Sequence, residues 1–184
     1  AMDELVIGSP LELSTDIGPV IDTEAKDHLL RCISKIKGTK IKTLATPKKG
    51  HFIAPTCYEI DTIDSLKEET FGPVLHIFRF KAEEREKLVE KINNLGFGLT
   101  FGLHGRIESA INRDARSIRA GNIYVNRSTI GAVVGVQPFG GRGLSGTGPK
   151  AGGPFYLHRF ATEKTVTINT TASGGNTQLI SLEE

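Results

Sequence analysis

Nine of the 23 residues from Gly131 to Gly153 are glycine. Such a stretch cannot persist as a helix or an ordinary strand, because glycine gives up the most backbone freedom on ordering. It must be a long loop, ordered or flexible, and long loops inside compact domains are usually functional. The bias is regional. Residues 1–90 hold five of the chain's 21 glycines and residues 91–184 hold sixteen. Regular structure must therefore be sought mainly on either side of this loop.

The flanking sequence alternates strand and helix signals. Asp22 or Thr23 can cap a helix running to about Lys37, with Ala25, Leu29, Ile33 and Ile36 at helical spacing and Gly38 as the stop. Lys40–Ala45 reads as a short strand. His51–Ile60 is a broken extended run, and Pro55 argues for an edge or a bulge. Val74–Phe80 is a clearer strand, Glu83–Leu95 an amphipathic helix, and Leu99–Leu103 a strand. A helix over Ile107–Ala120, a strand over Asn122–Asn126 and a β-rich run over Lys164–Asn169 complete the pattern. Strands alternating with helices predict an α/β fold with a largely parallel sheet. The last run lies beyond the glycine loop and is free to pair with another chain or domain.

Composition sets the class. Apolar residues make up 38% of the 184 residues and charged residues 24%, which suits a globular domain of a size that needs no disulfide or structural metal to fold. Twenty-three basic residues against 21 acidic give no nucleic-acid footprint. No window is apolar enough to span a bilayer, and no signal peptide is visible at the start. Two cysteines, Cys32 and Cys57, fit a reducing compartment.

Several motifs fail on context. Gly141-Arg142-Gly143-Leu144-Ser145-Gly146 has dinucleotide-fingerprint spacing, but it lacks a strand before it and a helix after it. Pro149 spoils a P-loop reading of Gly143–Lys150. His28 and Cys32, four residues apart on a helix, have no third ligand in view, so a surface His and a half-buried Cys is the better reading. Neither cysteine has an evident activating group. Asn126-Arg127-Ser128 and Asn169-Thr170-Thr171 match the glycosylation pattern, and with no secretory signal visible they read as chance matches.

Two segments hold usable chemistry. Glu68-Glu69-Thr70-Phe71-Gly72-Pro73-Val74 sets a carboxylate pair and an aromatic before a strand. A carboxylate, which only accepts hydrogen bonds, can take both hydroxyls of a ribose, and the aromatic can pack on a flat ring. From chemistry alone, a solvated acid pair with a core Phe is the better reading. In the glycine loop, Gly131-Ala132 offers backbone N–H groups for an anion cradle, and Phe139 can supply an apolar wall.

Glu68–Val74, Ala120–Asn126 and Pro138–Gly141, in this order and spacing, resemble the aldehyde dehydrogenase superfamily. Gly131–Gly141 and Gly143–Pro154 narrow the resemblance to the glutamate-semialdehyde (pyrroline-5-carboxylate) dehydrogenase part of the bifunctional proline utilization A family, and Asn169–Asn176 is similar to that family too. The resemblance covers essentially the whole chain. It implies the C-terminal portion of the aldehyde dehydrogenase catalytic domain, with a largely parallel open sheet and flanking helices. Residues 1–160 would form that portion, with the anchor and glycine-rich loop at 127–155. Residues 161–184 would form a β-strand and oligomerisation segment with a tail, the strand being Glu163–Asn169.

Residue by residue, Glu69 resembles the glutamate that holds the nicotinamide ribose, and Phe71 the aromatic that positions the nicotinamide. Both roles then displace the plain reading of that segment. Gly131 and Ala132 resemble the loop whose N–H groups bind the substrate α-carboxylate, and Phe139 the aromatic against the aldehyde's aliphatic part. The resemblance implies NAD as cofactor, with FAD in an upstream proline dehydrogenase part. The nucleophilic Cys, the base and most of the NAD domain would lie upstream of residue 1, so no catalytic residue is expected here and the chain alone should be inactive. Cys32 and Cys57 do not match the nucleophile's motif. Implied partners are the upstream domains of the same polypeptide, a homo-oligomer and a small aldehyde, with nucleic acid only through a separate domain of the parent. The implied location is cytoplasmic, with peripheral attachment of the parent to the inner membrane left open. A stand-alone small-anion-binding or assembly module is the alternative.

Overall fold

The computed structural model describes residues 1–133 and 135–169. Asp22 caps the first helix, α1 (Thr23–Ser34), its side chain accepting from Ala25 N at 2.8 Å. α1 stops three residues short of expectation because the Lys35 and Ile36 N–H groups turn back to the Cys32 and Ile33 carbonyls. Three strands follow: β1 (Thr39–Thr43), β2 (Thr56–Glu59) and β3 (Val74–Ile77). α2 (Arg85–Asn94) begins after a single 3₁₀ turn over Ala82–Glu84. β4 (Thr100–Leu103), α3 (Glu108–Ser117) and β5 (Asn122–Val125) complete the regular elements.

The mixed α/β character and the largely parallel strand pairing are as expected, and two details were not foreseen. β1 pairs antiparallel with β2, with a register shift between Lys40 and Lys42, while β2–β3 and β4–β5 are parallel. The sheet is also divided into a three-stranded part, β1-β2-β3, and a two-stranded part, β4-β5. The β1–β2 connection has no helix to carry the chain back across the sheet, so it reverses direction as an antiparallel pair does.

Tyr58, Ile60 and Ile63 form the buried centre, packed by Ile33 within α1 and Ile36 just beyond it, and by Leu88 and Ile92 of α2. α2 and α3 are joined by Asp114, only 4% exposed, whose carboxylate is held by Arg85. Asn93 adds a two-way link, donating to Ser117 O at 2.9 Å and accepting from Arg119 N at 2.8 Å. The core is thin: no described side chain is less than 2% exposed.

The predicted strand at Glu163–Asn169 does not form. Residues 161–169 carry no regular structure and are exposed, with Val166 and Ile168 open at 66% and 76%. An alternating run needs a neighbouring strand for its backbone groups, and none is paired with it among the described residues. Residues 170–184, which include the rest of the expected tail, lie outside the described residues.

Candidate functional site

Two loops carry the residues singled out above. The first runs from Glu68 into β3. Gly72 N donates to Thr70 O and Val74 N to Gly72 O, both at 2.8 Å, making two successive tight three-residue turns. A Cβ on Gly72 would lie 2.9 Å from both Leu29 methyls. Leu29 of α1 therefore fills the apolar slot below the loop, and Phe71 is turned outward, 85% exposed. The expectation of a core Phe is wrong for that reason. Glu68 and Glu69 are solvated. Cys32 Sγ donates to Glu68 Oε1 at 3.7 Å and lies 3.5 Å from His28 Nε2. The Glu69 carboxylate carries no hydrogen bond or ion pair among the described residues. It is an unused acceptor beside an open aromatic face, the combination a ribose and a flat ring require.

Glu69 also lines a cavity of about 440 Å³ between β3 and β4, together with His76 of β3 and Ser145 of the glycine segment. Burial alone pushes the His76 imidazole below its ordinary value near 6.5. The unfolded chain therefore takes up a proton at this residue before the folded one does. Stability is expected to rise with pH from the lowered His76 value up to about 6.5, and to fall again on acidification through that window. Urea unfolding followed between about pH 5 and 7 checks this, since His76→Gln should flatten the slope.

The second loop follows β5. Asn126 adopts φ 54°, and its side-chain amide clasps the Gly105 backbone, accepting from N at 2.9 Å and donating to O at 3.0 Å. Gly131 has φ 80° with open space where a Cβ would sit. The N–H groups of Gly131 and Ala132 have no partner among the described residues. Just beyond, the loop closes on itself, with Gln137 N donating to Val133 O at 2.8 Å and Val133 N to Gln137 Oε1 at 3.3 Å. Phe139 bridges to Ala151 by two backbone hydrogen bonds of 3.0 Å.

Sequence reasoning missed what fixes this loop. Asn122, 8% exposed, donates to Pro138 O at 3.2 Å and accepts from Gly140 N at 3.3 Å. Lys150 Nζ donates to Gly121 O and to Asn122 Oδ1. Ser145 Oγ accepts from Gly98 N at 3.0 Å. These three residues tie residues 138–150 to β4 and β5, so this part of the glycine segment is ordered. Asn122 and Lys150 look like ordinary strand and loop residues, and only the packing of loop on strand reveals their work. Gly131, Ala132 and Phe139 thus share one stapled loop, while Glu69 and Phe71 sit on another.

Gly143–Ser145 is one 3₁₀ turn with no strand before it or helix after it. Cys32 and Cys57 are both buried, Cys32 more deeply than expected, and no group of three or more ligating side chains is placed to hold a metal among the described residues. No described helix is long and apolar enough to cross a membrane.

A family model described as "Aldehyde dehydrogenase family" matches residues 1–166. The chain belongs to the aldehyde dehydrogenase family. Within that family it is 50% identical over 174 residues to "Bifunctional protein PutA" of Klebsiella aerogenes, covering 89% of this chain and 13% of that protein. It is 40% identical over 159 residues to "1-pyrroline-5-carboxylate dehydrogenase" of Bacillus subtilis, covering 83% of this chain and 30% of that one. Among solved structures, a substituted proline utilization A (PutA) of Bradyrhizobium japonicum superposes with a TM-score of 0.83 and 52% identity, covering 92% of this chain and 18% of that chain. A Thermus 1-pyrroline-5-carboxylate dehydrogenase with bound NAD gives 0.77 and 36%, covering 86% and 31%. The chain therefore spans less than a third of the length of each of these aldehyde dehydrogenase relatives.

Proposed function

We propose that this chain is part of an NAD-dependent L-glutamate γ-semialdehyde dehydrogenase of proline catabolism, in a polypeptide that also carries a flavin-dependent proline dehydrogenase. The relatives named PutA and 1-pyrroline-5-carboxylate dehydrogenase support this reading. The observation that carries it is the pair of N–H groups at Gly131 and Ala132 that have no partner among the described residues, with φ 80° at Gly131, on the loop that Asn122 ties to β5 further along. Such a pair suits a carboxylate, as the α-carboxylate of this aldehyde requires. Phe139 would pack on the aliphatic part of the substrate.

The residues present fit a nicotinamide cofactor. The free Glu69 carboxylate would accept from the ribose hydroxyls, and Phe71 would hold the ring face. Bound NAD would supply the hydride acceptor. The attacking thiolate and the base for water come, on this reading, from other parts of the polypeptide. Residues 1–160 would serve as the catalytic-domain portion, and residues 161–184 as an oligomerisation segment and tail.

The test is to express both this chain and the longest product of its gene, and to assay NAD-dependent oxidation of glutamate semialdehyde. The long product should turn over and the 184-residue chain should not. In the long product, Glu69→Gln is expected to raise the KM for NAD about 10-fold, as for one lost charged hydrogen bond, while leaving the KM for aldehyde unchanged. Turnover by the short chain, or an unchanged KM for NAD, would overturn the reading.

A further inference from the structure

A cavity of about 200 Å³ opens between the end of α1 and the loop that carries Glu68. Cys32 of α1 lies on its wall and is only 6% exposed. Two groups touch the thiol. Cys32 Sγ donates to Glu68 Oε1 at 3.7 Å, and His28 Nε2, one helical turn back, stands 3.5 Å from the sulfur. With the thiol proton turned to Glu68, the tautomer of His28 that carries its proton on Nε2 donates to the sulfur. This setting is particular to Cys32. Cys57 of β2 is as deeply buried, and its sulfur has no hydrogen-bond partner among the described residues.

A separate observation points to an anion at this spot. Lys35, Lys37 and Lys67 line the same cavity. Their ammonium groups make no hydrogen bond or ion pair among the described residues. Three unpaired cations and an imidazole N–H favour the thiolate, which is the nucleophilic form. The Glu68 carboxylate is placed to take the proton. At about 30 Å³ for each water-sized molecule the cavity admits a few of them, and the burial of the sulfur keeps larger reagents away.

We propose that Cys32 is a site of reversible oxidation by hydrogen peroxide, and that its oxidised form loosens the hold on the cofactor at Glu69. The thiol passes its proton to Glu68, the thiolate sulfur attacks one peroxide oxygen, and the O–O bond breaks. The departing hydroxide takes the proton from Glu68 and leaves as water. Sulfur gives up two electrons, the peroxide gains them, and the product is a cysteine sulfenic acid that added thiols reduce back to Cys32. The S–H that held Glu68 is then gone, and the sulfenate form repels that carboxylate. Glu68 swings away from α1, and Glu69, the next residue, moves with it. The effect on the cofactor rests on the reading of Glu69 as the ribose acceptor; the oxidation does not.

The test treats the full gene product with hydrogen peroxide, traps sulfenic acid with dimedone and locates the adduct by peptide mapping. Cys32 should gain it at least about 10-fold faster than Cys57, and His28→Gln should slow it about 10-fold. In untrapped samples, the Kd for NAD read by equilibrium dialysis should rise about 3- to 10-fold on oxidation and return after reduction with a thiol. Cys32→Ser keeps every other thiol and puts a hydroxyl donor beside Glu68, so its Kd for NAD should not respond to peroxide. An adduct absent from Cys32, or formed there no faster than at Cys57, would overturn the site. An equal loss of NAD affinity in Cys32→Ser, or an unchanged Kd in the oxidised native product, would overturn the link to the cofactor. A product that binds no NAD before treatment would refute the cofactor reading, and the adduct at Cys32 would still decide the oxidation site.

Discussion

Gly121→Ala is expected to destabilise the chain by about 3 kcal/mol or more, at the upper end of overpacking costs. A Cβ on Gly121 would lie 1.9 Å from Gly140 O and 2.9 Å from both Gly140 C and Gly141 Cα. All three are backbone atoms, so no side-chain rotation relieves the clash. The neighbours that must give way are held by Asn122 and Lys150, and Gly121 N itself donates to Gly98 O at 2.8 Å. In a fold with so thin a core, this is a large share of the total stability. The check is the urea midpoint, with Gly105→Ala as control. A Cβ there meets only Ile111 at 3.6 Å, an ordinary contact, so a change within about 0.5 kcal/mol is expected. Equal effects at the two sites would show that the loop does not sit on β5 as described.

The second large effect concerns the substrate. In the full gene product, Gly131→Pro is expected to lower kcat/KM for glutamate semialdehyde by about 100- to 10,000-fold. Proline cannot adopt φ 80°, so both the Gly131 donor and the aim of the Ala132 donor are lost. Hydrogen bonds to a charged group contribute about 1.5–3 kcal/mol each, which sets the range. Pentanal has the same five carbons without the carboxylate, and its kcat/KM should change by less than about 10-fold. An equal loss for both aldehydes would mean a collapsed loop rather than a lost carboxylate contact.

The parts of this fold written in local spacing were readable from the chain. The apolar rows of α1, α2 and α3 and the cap at Asp22 follow from helix geometry alone, and each helix appears where expected to within a few residues. The glycine segment was readable as a loop, but not the reasons for its glycines. Gly131 answers to a positive φ and Gly121 to a close approach of two backbones, and no local pattern separates these causes. Chemistry alone put Phe71 in the core, and that reading fails because Leu29, far away in sequence, occupies the slot beneath it. The division of the sheet was hidden too, because strand order is a property of the assembled layers. The same holds for the work of Asn122 and Lys150, whose partners lie 16 to 29 residues away.

The edges of the sheet are not equally defended. β1 presents Lys40 and Lys42 and an irregular register along its rim, the usual means by which a sheet resists adding strands from strangers. β3 and β4 carry no such defence on the sides that face the cavity between them, and Leu75 of β3 is 54% exposed. Aggregation of this chain on its own would therefore begin at β3 and β4 sooner than along β1. Charged substitutions meant to keep it soluble therefore belong on β3 and β4.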